Sequence, residues 1–243
     1  MAQPSVLLEL KDVHTHIGAY HILHGVNLQI PRGELTLLLG RNGAGKTTTL
    51  RTIMGLWQAS QGDILFNGRN ITRMATPELA ALNIAYVPEN MGIFSDLTVE
   101  ENMLLAARKA RRATQMNPDR LAWIYAMFPA VEKFWHHPAG KLSGGQKQML
   151  AVARAMVEPR DLLIVDEPSK GLAPAIVQNM IVAFQKMKAS GVTILLVEQN
   201  IHFAQQLGDS VAVMDNGRVI HTGSMAALSA DPSLQQSLLG LAL

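Results

Sequence analysis

Cysteine is absent from this 243-residue chain. That excludes a disulfide framework, thiolate chemistry and any metal site built on sulfur. An excess of one charge sign is also missing: 21 Lys and Arg face 19 Asp and Glu, for a net charge of +2 and an isoelectric point near 9.0. Nucleic-acid binders cluster their cations, and the densest group here, Arg108-Lys109-Ala110-Arg111-Arg112, reads as a short piece at one helix end. No nucleic-acid partner is expected. No apolar run approaches the length of a membrane-spanning helix, and Glu9 and Lys11 interrupt the start before a signal peptide could form. The chain is expected to be cytoplasmic, with any membrane contact through a partner. Long repeats and low-complexity tracts are missing too. What is present, 48% hydrophobic residues at this length, suffices for a full core in one large domain or a domain with subdomains.

The stretch that organises the chain is Gly40-Arg41-Asn42-Gly43-Ala44-Gly45-Lys46-Thr47-Thr48. It matches a phosphate-binding loop, with Leu35–Leu39 upstream as a short buried strand and Thr47–Leu56 downstream as a helix. Glycines let such a loop turn its N–H groups inward around phosphate oxygens, and the helix directs its positive dipole end at the same anion. Lys46 would reach the terminal phosphates and the Thr47 hydroxyl would ligate magnesium. The residues point to nucleotide binding.

In chain order, Val6–Val13 and Ile22–Ile30 read as strands, the second with apolar residues alternating at Val26, Leu28 and Ile30. His14, His16, His21 and His24 are read as solvated strand faces and a loop, since no carboxylate or cysteine completes a metal set. Gly62–Phe66 is a strand closed by Asn67-Gly68, a hairpin signal, and Ile84–Val87 a strand stopped by Pro88. From Glu89 to about Pro159 the pattern is helical. Thr98 caps a helix with Glu101 at the capping-box position, and a second helix covers Asp119–Phe128. The thirteen methionines, Met91, Met103, Met127 and Met149 among them, are read as adaptable core filler.

Leu142-Ser143-Gly144-Gly145-Gln146 opens a third helix, to about Val157, with Ser143 as N-cap and two glycines leaving backbone N–H groups uncovered, a second anion site. Leu162–Glu167 follows, a buried strand that delivers two carboxylates at its carboxyl end, where α/β sheets place ligands. Asp166 suits magnesium coordination, and Glu167 suits a base orienting the attacking water. Val192–Val197 repeats the strand pattern and ends at Glu198-Gln199-Asn200. Val211–Met214 and Arg218–Thr222 flank Asn216-Gly217 as a closing hairpin, and Ser224–Leu243 reads as short amphipathic helices.

The phosphate loop, the Leu142–Gln146 pentapeptide and the Leu162–Glu167 strand, in that order, resemble the ATP-binding subunit of an ABC transporter. The likeness covers essentially the whole chain, and the pentapeptide is that family's own signature. The resemblance implies an α/β fold: a RecA-like P-loop NTPase core with an antiparallel β subdomain and an inserted helical subdomain. The single ABC ATPase domain of residues 1–243 would put core and antiparallel subdomain in 1–88 and 160–243, and the helical subdomain with the signature in 89–159. ATP and Mg2+ are the implied cofactors. Subunits pair head to tail, so Leu142, Ser143, Gly144, Gly145 and Gln146 would face the partner's ATP. Gly40, Arg41, Asn42, Gly43, Ala44, Gly45, Lys46, Thr47 and Thr48 would bind the subunit's own. Thr47, Asp166 and Glu89 would hold the metal, and Glu167 and Gln199 would carry the chemistry.

Four positions depart from the commonest pattern of that family. Glu89 stands where glutamine is usual, Gly171-Leu172-Ala173 replaces a Leu-Asp ending, and Gln199 replaces the switch histidine. The adenine-stacking aromatic falls at Ile17, leaving His16 or Tyr20 as substitutes. The first three, with Val99-Glu100-Glu101-Asn102 and Glu167-Pro168-Ser169-Lys170-Gly171-Leu172-Ala173-Pro174, resemble the shorter ATPase of branched-chain amino-acid importers, the LivF type. Membership implies a homo- or heterodimer with a second, different ATPase, two transmembrane permease subunits and, indirectly, a substrate-binding protein; related importers handle urea or short amides. The loop Glu89–Phe94 would border the permease groove, with Met91, Ile93 and Phe94 either anchors there or core. Two other classes stay open. One is an ABC-type ATPase acting on DNA or ribosomes, which usually carries two cassettes or a long coiled-coil insertion. The other is a regulatory ATP-binding module with little turnover, to which Ala173 and Gln199 point and Glu167 beside Asp166 does not.

Overall fold

The structure is a computed structural model that describes residues 5–107 and 110–240. Arg108 and Lys109 of the cationic cluster, and residues 241–243 of the expected terminal helices, lie outside the described residues. Two sheets form the frame. Strands β1 (Val6–Ile17), β2 (Tyr20–Pro31), β4 (Ala59–Phe66) and β5 (Arg69–Asn70) make an antiparallel sheet in the order β2-β1-β4-β5. Strands β3 (Leu35–Leu39), β6 (Ile84–Val87), β7 (Leu162–Asp166), β8 (Thr193–Glu198), β9 (Ser210–Asp215) and β10 (Arg218–Ser224) make a second sheet, ordered β10-β9-β3-β8-β7-β6. All its pairings are parallel except the β9–β10 hairpin.

Strand β3 is buried along its whole length between β8 and β9. Its residues divide by the period of two. Leu35, Leu37 and Leu39 enter one core with Leu163, Val165, Ile194, Leu196 and the helices α6 (Gly144–Ala155) and α7 (Pro174–Ala189). Leu38 enters the other, with Ile164, Leu195 and residues of α1 (Lys46–Ile53), α2 (Thr76–Ala81) and the antiparallel sheet. A strand covered on both faces has no polar side, which is why these segments are unbroken apolar runs.

Between β6 and β7 the chain runs through α3 (Val99–Ala106), α4 (Pro118–Met127), α5 (Pro129–Lys133) and α6. Thr98 caps α3 by the expected reciprocal pair: its hydroxyl accepts from the Glu101 N–H at 3.1 Å, and Glu101 accepts from the Thr98 N–H at 2.7 Å. Ser143 caps α6 in the same manner through Gln146.

Several boundaries differ from the sequence expectation. The helix after the phosphate loop stops at Ile53, not Leu56, because Gly55 turns into the left-handed region at φ +66°. The third helix ends at Ala155, short of Val157. The first hairpin is longer than expected at its tip, so His14, His16, His21 and His24 all lie on strands and none in a loop. Their rings pack on one another, His21 centrally, with centroids 4.1–5.2 Å apart. The methionines Met103, Met127 and Met149 are in the core, whereas Met91 is partly exposed.

Asn102 on α3 is a buried polar residue that holds the segment before the helix. Its Oδ1 accepts from the Phe94 N–H at 3.0 Å, and its Nδ2 donates to the carbonyls of Phe94 at 3.0 Å and Thr98 at 2.9 Å. Asn102→Ala strands the Phe94 amide and carbonyl, so a loss of about 2–3 kcal/mol is expected. Urea unfolding checks this; a change within about 0.5 kcal/mol, the range of an ordinary surface substitution, would refute it.

Candidate active site

Pairing in the six-stranded sheet brings three carboxyl ends level. Leu39 of β3 lies opposite Glu198 of β8, and Val197 opposite Asp166 of β7. The loops that follow, from Gly40, Glu167 and Gln199, therefore open at one edge. The phosphate loop returns to α1 through Gly45, at φ +106°, which leaves the first amides of the helix without a side-chain cap. Glycine is obligatory at 40: a Cβ there would lie 2.2 Å from the Met214 carbonyl oxygen.

Lys46 is 5% exposed. Its Nζ donates to the carbonyls of Gly40 at 2.8 Å and Arg41 at 3.0 Å and stands 3.8 Å from Glu167 Oε1. Burial lowers its pKa, opposed by the charges of Glu167 and Asp166. The Thr47 hydroxyl donates to Asp166 Oδ1 at 3.3 Å. Asp166 is fully buried, and burial raises its pKa to about 6 against the Thr47 hydrogen bond. Its Oδ2 has no hydrogen-bond partner among the described residues.

Glu167 has φ +47°, a left-handed backbone that a side chain adopts at a cost of about 1–3 kcal/mol. The conformation is held by its N–H on the Val197 carbonyl at 3.0 Å and by contacts at the carboxylate. Gln199 Nε2 donates to Glu167 Oε1 and to Asn42 Oδ1, the latter at 2.7 Å. Lys170 stands 3.4 Å from Glu167 Oε2 and pairs with Glu89 at 2.5 Å. Glu89 thus meets Lys170 on the loop after β7 and has no hydrogen bond with Thr47 or Asp166 among the described residues. Glu198, a residue whose chemistry the sequence reading leaves open, is buried just behind, and burial raises its pKa.

The fold brings together the phosphate loop, Thr47, Asp166, Glu167 and Gln199. A cavity of about 420 Å³ lies against Gly40–Asn42, Gln199, Ile201 and Leu239. Tyr20 lies at the tip of the first hairpin, 76% exposed. The segment Leu142–Gln146 is also separate. Its hydrogen bonds close on its own helix start, Gly144 has open space around it, and Gly145 is pressed on Ile176, where a Cβ would come within 2.7 Å.

The sequence matches the ABC transporter family over residues 23–170. The chain belongs to that family, as an ATP-binding subunit. The high-affinity branched-chain amino acid transport ATP-binding protein BraG of Pseudomonas aeruginosa is 37% identical over 235 residues, 96% of this chain and all of that one. The probable branched-chain amino acid transport ATP-binding protein LivF of Archaeoglobus fulgidus is 34% identical over 222 residues, 91% of this chain and 93% of that one. Among solved structures, cbiO1 from Clostridium perfringens, described as part of the ABC transporter complex cbiONQ, superposes with a TM-score of 0.82 at 28% identity, over 96% of this chain and 94% of the other. The expected α/β ATPase fold of the family is the one observed. Among the described residues no helix of this ABC subunit is long and apolar enough to cross a membrane.

The raised pKa of Asp166 makes a pH prediction for the protein without nucleotide or metal. A carboxyl whose folded pKa lies above its unfolded value favours the fold while protonated, and that contribution is lost as pH rises through about 6. Asp166→Asn removes the titration. The variant should match wild type near pH 4 and exceed it near pH 7 by about 3 kcal/mol at most, at 1.36 kcal/mol per unit. Denaturant unfolding of both proteins in chelator across that range is the check; a constant difference would show that Asp166 does not titrate there.

Proposed function

We propose that this chain is the ATP-hydrolysing subunit of an importer for branched-chain amino acids, working in a pair of such subunits beneath two permeases. The observation that carries the ATPase reading is the meeting of three strand ends. There Lys46 and Gln199 both engage Glu167, and Thr47 engages Asp166. The branched-chain reading is supported by the relatives BraG and LivF.

In the proposed reaction the phosphate-loop amides and Lys46 receive the phosphates, Lys46 exchanging the Gly40 and Arg41 carbonyls for them. The buried, unpartnered Oδ2 of Asp166 and the neighbouring Thr47 hydroxyl suit a divalent cation, and both would hold Mg2+. Bound there, Mg2+ neutralises charge on the phosphate oxygens. Glu89 would join this set on leaving Lys170. Glu167 accepts the proton of the attacking water, and Gln199, fixed between Asn42 and Glu167, orients that water or the terminal phosphate through its amide. Unlike histidine, Gln199 does not titrate, so it positions without switching charge. Tyr20 and His16 are the two candidates to lie against adenine.

The segment Leu142–Gln146 would complete the partner subunit's site, and its open Gly144 leaves room for that approach. The partner is a second copy or a different ATPase. A permease would dock at the groove lined by Leu56, Tyr86, Met91 and Arg154, beside Phe94, which is 53% exposed. The solute, delivered by a binding protein, is recognised by those other subunits, and this chain would sit peripherally on the membrane.

Glu167→Gln should bind ATP normally and lose about 10²–10⁴-fold in turnover. Gln199→Ala should lose turnover by about 10² with little change in affinity, as expected for a contact made mainly in the transition state. Nucleotide titration and steady-state hydrolysis, in the permease complex where isolated turnover is slow, measure both. Wild-type rates in both variants would remove these residues from the chemistry. For the solute, the reconstituted complex should hydrolyse ATP faster with leucine and its binding protein than with glutamine, urea or acetamide. Stimulation by one of the latter alone would overturn the branched-chain reading.

A further inference from the structure

Glu198 ends β8 with a carboxylate that is 2% exposed and has no ion-pair partner among the described residues. Three backbone amides satisfy it. Oε1 accepts from the Ser169 N–H at 2.9 Å, and Oε2 accepts from the N–H groups of Gln199 at 3.1 Å and Asn200 at 3.2 Å. Ser169 lies two residues beyond Glu167, on the loop after β7; Gln199 and Asn200 begin the loop after β8. One buried side chain thus spans the two loops that present Glu167 and Gln199. A negative charge without a neighbouring cation is costly inside a fold, and an apolar residue would serve mere packing. A carboxylate is the side chain whose two oxygens both accept and neither donates, so it alone can collect amides from both sides at once.

We propose that Glu198 is the positioning residue of this active site, a clamp that sets the separation and orientation of Glu167 and Gln199. The inference rests on the reading that these two residues act on ATP. Reacting groups lose rate steeply when displaced by about 1 Å, so a tether that holds two loops in register acts on turnover and not on nucleotide affinity. The phosphate loop, which would carry affinity, donates no hydrogen bond to the Glu198 side chain among the described residues.

Glu198→Gln separates the two halves of the clamp. Its single carbonyl oxygen keeps the Gln199 and Asn200 amides, and the NH2 group then faces the Ser169 N–H, donor against donor. Glu198→Asp, shorter by one methylene, keeps the charge and cannot reach both loops. Both variants should keep ATP affinity and KM within about threefold and lose about 10- to 100-fold in kcat, since a displaced group costs turnover. The Ser169 amide should lose its protection from hydrogen exchange while the β8 amides keep theirs. In a Gln199→Ala background, Glu198→Gln should cost little more, because both act through one arrangement. Additive losses, or a rise in KM that accounts for the fall in kcat/KM, would overturn the clamp. So would wild-type kcat in both Glu198 variants while Glu167→Gln and Gln199→Ala are impaired. Full turnover in Glu167→Gln and Gln199→Ala would instead remove the underlying reading of the site, and the clamp with it.

Discussion

Leu39 stands opposite Glu198, and Val197 opposite Asp166, in a parallel sheet whose central strands are dry on both faces. That register decides everything at the edge above it. A slip of one residue would reverse every side chain and pull one loop out of line with the other two. The two cores on either side of β3 resist such a slip. Leucines 35, 37 and 39 are committed to the helices and Leu38 to the opposite layer. The geometry of the candidate site is therefore a consequence of hydrophobic packing several residues below it.

Three carboxylates gather at this edge, and the surroundings of each differ. Asp166 has one hydroxyl donor and one unpartnered oxygen. Glu167 has two lysines and an amide. Glu198 has three backbone N–H groups. An oxygen left bare inside a protein is expensive, so Asp166 suits a cation that would relieve it. A carboxylate among mobile side chains can exchange partners with a substrate, and one bound by backbone amides cannot. The division of labour follows from what satisfies each acid.

The phosphate loop, the strands on either side of the helical stretch and the two caps were legible because each rests on local chemistry. Glycine spacing, unbroken apolar runs and Ser or Thr three residues before Glu or Gln leave marks in the chain itself. The tip of the first hairpin was not, since histidines carry no strand period and the extension depends on β1 pairing with both β2 and β4. The helix α7 went unmarked although its buried Val177, Met180, Ile181, Phe184 and Met187 recur at helical spacing, a signal the chain does carry. Contacts across the sheet were silent. Lys170 meeting Glu89 spans 81 positions, and Glu198 meeting Ser169 spans 29, and neither spacing has a sequence sign.

The loop after β7 is tied at two adjacent residues, Ser169 and Lys170, and the two ties differ in strength. The pair between Lys170 and Glu89 is half exposed and screened by water, so it breaks at little cost. The bonds at Glu198 are buried, and breaking them strands both a charge and amides. Glu89 begins the segment that leads into the helices, and Arg154 of α6 holds that segment through the Met91 carbonyl at 3.2 Å and lies 5.6 Å from the Phe94 ring. A displacement at the exposed Phe94 thus has a continuous route of contacts to Glu89, Lys170 and Glu167. It meets its weakest link at the ion pair, not at the clamp.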